Sequence, residues 1–309
     1  MSRPRAVAVV GPTASGKSAL AHAAARVDRR REVLCVDAMT VYRGMDIGTA
    51  KPTVAERREV RYHLLDLADP AETFNVGLFQ GAARAAEAEI EARGGVAIYV
   101  GGTGLYGRAV LDDLEIPGQF PEIRAALERD DPSTLYAELQ SRDPLAASRI
   151  EPGNTRRLVR ALEVIRGTGR AFSSFGPGLE YYGAPRVVQV GLRVELPELD
   201  RRIAERFAQW MRDGLLDEVR ALAGRPAGLS VTARQAVGYR ELLEHVEGGR
   251  DLGECVTAAI SQSRRLARRQ RRWFERDPRI EWYEDPAEAR ARVEEVLGGS
   301  GGGVRDWSR

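Results

Sequence analysis

Lysine is nearly absent from this 309-residue chain: of 47 basic residues only Lys17 and Lys51 are lysines, and arginine fills the rest. A compositional bias has replaced lysine wherever a planar guanidinium serves as well, so a surviving lysine points to a place that needs a compact ammonium. Lys17 lies in a glycine-containing loop, GPTASGKS. Lys51 lies in GTAKP and is either a chance survivor or a second position of the same kind. Cysteine is also scarce. Cys35 and Cys255 are far apart, and His22, His63 and His245 add no metal-ligand spacing, which excludes a zinc module and a disulfide scaffold. No apolar run approaches the ~18 residues of a membrane span. The opening MSRPRAVAVVGPT has only Ala6–Val10 as a continuous apolar stretch, so it does not read as a signal peptide, and a reducing cytoplasm is the expected location. The net charge of +2 says little about partners, so any charge argument rests on distribution.

Hydrophobic residues make up 43% of the sequence, enough to build one large or two modest globular domains. RAVAVV (5–10), EVLCVD (32–37) and VAIYVGG (96–102) read as buried strands, with helical patterns at 17–27 and 75–95 between them. Strand–helix alternation predicts βαβ units and a parallel sheet, an α/β fold of the P-loop type. From 113 to 185 the pattern is helical without a convincing strand, which predicts a helical insertion. Strands resume at 186–194 and 279–284, with helices over 197–224, 251–275 and 286–297. The predicted organisation is a discontinuous core of residues 1–112 and 186–297, an insertion domain of 113–185, and a flexible tail at 298–309 holding GGSGGG.

GPTASGKS matches G-x-x-x-x-G-K-[ST] between a strand and a helix, the context that makes this motif a phosphate cradle. Gly11, Pro12, Thr13, Ala14, Ser15, Gly16, Lys17 and Ser18 form it. Its amides and the following helix dipole attract an anion, Lys17 adds a point charge, and the Ser18 hydroxyl suits Mg²⁺. A conventional nucleotide hydrolase places an acid at the end of a later strand. Here that strand ends in glycines, and the acid is Asp37, at the end of the second strand, where α/β sheets bind ligands. GGTGLY (101–106) contributes Thr103 at the same edge. SRRLARRQRRWFER (263–276) carries seven arginines and one acid, with Arg265, Arg268, Arg269 and Arg272 able to share one helix face, and NTRRLVR (154–160) repeats the pattern. Two basic stretches read as a phosphate-backbone footprint, with Arg268 and Arg269 as RNA-contacting candidates. These residues leave open an RNA-modifying enzyme, a small-molecule kinase using ATP, and a non-enzymatic RNA-binding P-loop protein.

In order along the chain, GPTASGKS, VDAMTVYRGMDIGTAKP, YHLLD, VGGTGLY, NTRRLVRALEV, QAVGYRE and RRLARRQRRWF resemble the tRNA isopentenyltransferases, the bacterial tRNA dimethylallyltransferase family, over residues 5 to about 297. The resemblance implies a P-loop core with a helical swivel domain and tRNA bound between them. It implies transfer of a dimethylallyl group from dimethylallyl diphosphate to the exocyclic amine of the adenosine 3′ to the anticodon, in tRNAs reading codons that begin with U. It assigns the diphosphate to Gly11–Ser18, makes Asp37 the general base or the hydrogen-bond acceptor for the adenine amine, and gives supporting catalytic roles to Thr103 and Lys17. It assigns contacts with the tRNA anticodon stem-loop to Asp37, Ala38, Met39, Thr40, Thr103 and Arg124, to Arg156, Arg157, Leu158, Val159 and Arg160, and to Gln235, Ala236, Val237, Gly238, Tyr239 and Arg240. RNA loops are read by splayed, stacked bases, so an aromatic ring such as Tyr239 is a candidate helper. Mg²⁺ is the implied cofactor, and a monomer is expected. One stretch departs from the family pattern: where D-S-x-Q is usual, this chain has DAMT, with Ala38 for Ser and Thr40 for Gln.

Overall fold

Among the described residues six short strands carry the architecture, and the sequences of the inner ones explain why they are buried on both faces. β1 (Val7–Val10), β2 (Arg31–Cys35), β3 (Tyr62–His63), β4 (Val96–Gly101), β5 (Val188–Leu192) and β6 (Ile280–Tyr283) form one sheet in the order β3-β2-β4-β1-β5-β6. Every pairing is parallel. The computed structural model describes residues 6–298. Ala8, Val10 and Leu34 pack with Phe79 and Ala83 of the helix Val76–Ala92 on one face. Val7, Val9 and Val33 pack with Ala21 and Ala24 of the helix Lys17–Ala25 and with Val293 of the helix Pro286–Gly298 on the other. Near-continuous apolar strands of this kind are what a doubly covered parallel sheet requires. β1 is central, between β4 and β5, so the loop leaving its C-terminal end emerges where such folds bind ligands.

The chain divides into two compact units. One joins the residues up to Asp112 with those from Ala184, and the other is Asp113–Gly183. Among its described residues the smaller unit holds no strand. Its helices Pro121–Leu127, Pro132–Arg142, Pro144–Ala147 and Thr155–Thr168 enclose Leu127, Leu135, Leu139, Leu158 and Leu162. Phe120 lies so close to Gly167 that a Cβ there would meet the ring at 2.3 Å.

The structure differs from the sequence reading in four places. β3 pairs only two residues with β2, too short for any periodicity to reveal. The helix expected over 197–224 is two, Leu196–Arg212 and Leu215–Ala223, because Gly214 takes a left-handed φ of 100°. The short helices Val54–Glu59, Val231–Arg234 and Tyr239–Gly248 are additions to the predicted set. Gly298 ends the last helix, and the rest of the expected tail, 299–309, lies outside the described residues. No helix among the described residues is long and apolar enough to cross a membrane.

Candidate active site

The P-loop follows β1 and is bent by three positive φ values: 147° at Gly11, 65° at Ala14 and 97° at Gly16. Turns of this kind aim successive backbone N–H groups at one point. The helix Lys17–Ala25 starts directly after Gly16 and adds its N-terminal dipole. The Lys17 ammonium donates to the Pro12 carbonyl at 3.2 Å. Burial pushes it down to about 8; the Arg206 charge adds to the fall and the Asp37 carboxylate opposes it. Lys17, Arg206 and Asp37 therefore share one electrostatic neighbourhood.

Two distant residues hold the far side of the loop. The Thr13 amide donates to Gln270 Oε1 at 2.8 Å, and Arg206 Nη2 donates to the Thr13 hydroxyl. The Arg206 guanidinium lies 4.8 Å from the centre of the Trp210 ring, and burial lowers its pKa to about 10. Nothing in the sequence singles out Arg206. It is one arginine among many in the amphipathic helix Leu196–Arg212, and only the fold brings it to the loop.

Asp37 stands just beyond the C-terminal end of β2 and Thr103 just beyond that of β4. The Thr103 hydroxyl donates to Asp37 Oδ2 at 3.2 Å and accepts from the Ala38 amide at 3.3 Å. Asp37 Oδ1 accepts from the Met39 amide at 2.9 Å. Thr103 sits at the N-cap of the helix Gly104–Leu111 but makes no side-chain cap, so its hydroxyl is free to orient the carboxylate.

The loop after Asp37 is clamped along its length. The Lys51 ammonium donates to the Tyr42 carbonyl at 2.6 Å, to Asp46 at 2.6 Å and to Asp66 at 2.5 Å, with its side chain 1% exposed. This second surviving lysine is thus a structural knot, its three donors each matched to an oxygen. Glu218 accepts from the Asp46 and Ile47 amides, both at 2.9 Å. The Tyr239 hydroxyl donates to Glu218 at 2.6 Å and accepts from the Gly48 amide at 3.1 Å. A Cβ at Gly48 would lie 2.6 Å from the Tyr239 ring. The glycine of MDIG and the tyrosine of QAVGY are two halves of one contact.

A family model described as IPP transferase matches residues 40–277. The chain is 47% identical to a tRNA dimethylallyltransferase of Kineococcus radiotolerans, over 94% of this chain and 96% of that one. The chain belongs to the IPP transferase family. Among solved structures, the tRNA isopentenylpyrophosphate transferase of Bacillus halodurans is 35% identical, with a TM-score of 0.69 and coverage of 96% and 97%. A eukaryotic dimethylallyltransferase acting on tRNA shares the fold, with a TM-score of 0.75 at 24% identity and coverage of 92% and 75%.

Several residues expected to touch RNA in this IPP transferase are placed otherwise. Leu158 and Val159 are buried in the core of the helical unit, and Tyr239 and Ala236 in that of the larger unit, so none presents a side chain to a ligand. The apolar spacing of Leu158, Leu162 and Ile165 marks a helix core face and is the signal against that reading. Gly238 is buried too, with φ 94° at the start of the helix Tyr239–Gly248. Thr40 is buried with its hydroxyl unpaired, while Ala38 and Met39 are partly exposed. In the helical unit Arg124 and Arg160 pair with buried Glu163 at 3.2 and 3.1 Å, leaving Arg156 and Arg157 exposed. Gln235 and Arg240 are exposed, Arg240 against Glu241, and Val237 is half-buried.

The arginine-rich helix, Leu252–Phe274, has two faces. Arg268 is half-exposed and is held by a neighbouring helix. It forms a two-pronged pair with Asp200 at 3.0 and 2.7 Å, whereas Arg265, Arg269 and Arg272 are exposed. The inward face explains the glycines of GGTG: a Cβ at Gly102 would lie 2.8 Å from Gln270, and one at Gly104 2.1 Å from Trp273. Magnesium suits the donor set at Ser18. This exposed hydroxyl at the phosphate loop is a hard oxygen donor of the kind Mg²⁺ would take. No group of three His, Cys, Asp or Glu able to cage a metal occurs among the described residues.

Proposed function

We propose that this chain transfers the dimethylallyl group of dimethylallyl diphosphate to the exocyclic amine of the adenosine 3′ to the anticodon, in tRNAs reading codons that begin with U, releasing diphosphate. The observation that carries the reading is the gathering of Lys17 and Arg206 on the phosphate loop and Asp37 with Thr103 beside it, at one end of the sheet.

Breaking the allylic C–O bond leaves charge on the diphosphate. The loop amides, Lys17 and Arg206 face that charge from fixed positions, which stabilises the transition state without reorganisation. Ser18 would hold Mg²⁺, which when bound supplies further positive charge to the leaving diphosphate. The adenine amine is a weak nucleophile and gains acidity only as the N–C bond forms. Asp37, aimed by Thr103 and the Met39 amide, accepts its proton at that stage. The base must leave the anticodon stack, which costs a few kcal/mol. Exposed Arg156, Arg157, Arg265, Arg269 and Arg272 offset this by holding the RNA backbone. On this reading the enzyme is a cytoplasmic monomer, and the loop hydrolyses no ATP. Incubation with undermodified tRNA and labelled dimethylallyl diphosphate, followed by nucleoside analysis, should give labelled isopentenyladenosine. Phosphorylation of a small acceptor at the expense of ATP, with tRNA untouched, would instead make the chain a kinase.

A further inference from the structure

At the opposite end of the sheet from the P-loop, a cavity of about 810 Å³ opens. It lies among the turn after the helix Lys17–Ala25, the start of β2, the helix Val54–Glu59 and the turn leading into β4. Arg31 is the first residue of β2, and Gly95 directly precedes β4, so the cavity is at the N-terminal ends of strands whose C-terminal ends carry Asp37 and Thr103. Eight arginines line it against three acids.

Two of the three acids are already paired with cations, and the third, Glu59, is exposed beside a histidine. Glu32 is buried, with His63 Nε2 at 2.6 Å and Arg93 at 2.9 Å, and Arg61 stands 3.6 Å away. Asp66 is shared by Lys51 and Arg57 at 2.5 and 2.8 Å. Glu59 lies 3.3 Å from His22. Two lining arginines spend their charge on acids outside the cavity lining, Arg30 on Asp28 and Arg31 on Glu294. That leaves Arg26, Arg29 and Arg58 exposed, with no carboxylate partner among the described residues. A helix C-terminus accounts for a cation in its last turn, but not for eight around one cavity. Like charges at this density repel one another and concentrate anions in the concavity. The lining also has an apolar element: Leu65 and the half-buried Tyr62, whose hydroxyl lies 2.7 Å from His22 Nδ1.

The volume is that of a small-molecule pocket. The guanidinium fork matches phosphate oxygens two at a time. We propose that this cavity is a second anion site, separate from the P-loop, that binds a compact polyphosphate, either free inorganic triphosphate or the triphosphate of a nucleotide. Arg26, Arg29 and Arg58 make the direct contacts, and the internally paired arginines hold the walls.

The test uses the full chain carrying Lys17→Ala, so that the P-loop contributes little, and titrates it calorimetrically with tripolyphosphate and, separately, with ATP. Binding with a Kd below about 1 mM is expected. Adding Arg29→Glu and Arg58→Glu should weaken it at least tenfold, and Arg29→Gln with Arg58→Gln less so, with circular dichroism and thermal melting unchanged because both side chains are exposed. Equal affinity for the two ligands assigns recognition to the phosphates alone; tighter ATP binding adds the base against Tyr62. Absence of binding up to several mM, or binding indifferent to the substitutions at Arg29 and Arg58, overturns the proposal. So does loss of anticodon stem-loop RNA binding in these variants when tripolyphosphate never binds, which would make the patch an RNA surface.

Discussion

The two ends of the parallel sheet are both basic, and they use charge in opposite ways. At the C-terminal end two cations, Lys17 and Arg206, face a phosphate loop, and burial depresses the pKa of each, to about 8 and about 10. At the N-terminal end eight arginines ring one cavity, and where shifts arise they go upward, as at Arg30 beside Asp28 and Arg93 beside Glu32. A desolvated charge in a fixed place interacts strongly with a charge that develops during reaction, whereas a solvated one is screened and suits reversible binding. Number of charges and strength of effect therefore run in opposite directions between the two ends.

The contrast can be broken most forcefully at Asp37. Asp37→Ala should lower prenyl transfer by roughly 10²–10⁴-fold, the usual range for a general base, while tRNA Kd stays unchanged. Equal loss of binding and turnover would make Asp37 part of the RNA grip. Lys17→Ala comes next, with kcat/KM for dimethylallyl diphosphate falling by about 10²–10³-fold. Normal kinetics would remove it from the leaving-group cradle. Tyr239→Phe tests whether the clamped loop is a structural requirement. Removing the bonds to Glu218 and Gly48 should cost about 1–3 kcal/mol in chemical denaturation, with a smaller drop in turnover, and an unchanged midpoint would deny the clamp. The smallest effect belongs to the exposed arginines. Arg269→Ala with Arg272→Ala should weaken tRNA binding and flatten its salt dependence by about one unit of slope for each phosphate no longer neutralised. Arg268→Ala should flatten that slope less than either, because Asp200 already pairs with its guanidinium.

Legibility from sequence follows the range of the interactions involved. The P-loop and Asp37 are readable because each is defined by a few consecutive residues, and the alternation of strand and helix reveals the sheet. Arg206 and Gln270 are not, since their partner Thr13 is 193 and 257 residues away. The motif QAVGYRE is visible, but its meaning is inverted: Tyr239 looks like a stacking ring and is a buried prop for the loop at Gly48. Likewise the arginine-rich helix is recognised by its charge, although Gln270 and Trp273 are the side chains that meet the GGTG turn. Lys51 is flagged by the scarcity of lysine, and the fold explains its retention through three oxygens set around one ammonium.

The buried-charge account is tested most directly by the pH dependence of kcat/KM for dimethylallyl diphosphate, measured in the wild type and in Lys17→Ala. This parameter reports the free enzyme, in which Lys17 is charged below about 8 and neutral above it. The wild type should lose kcat/KM as pH rises through about 8, and the variant should lack that limb. A limb of the same midpoint in Lys17→Ala, or a flat profile in the wild type, would contradict the account.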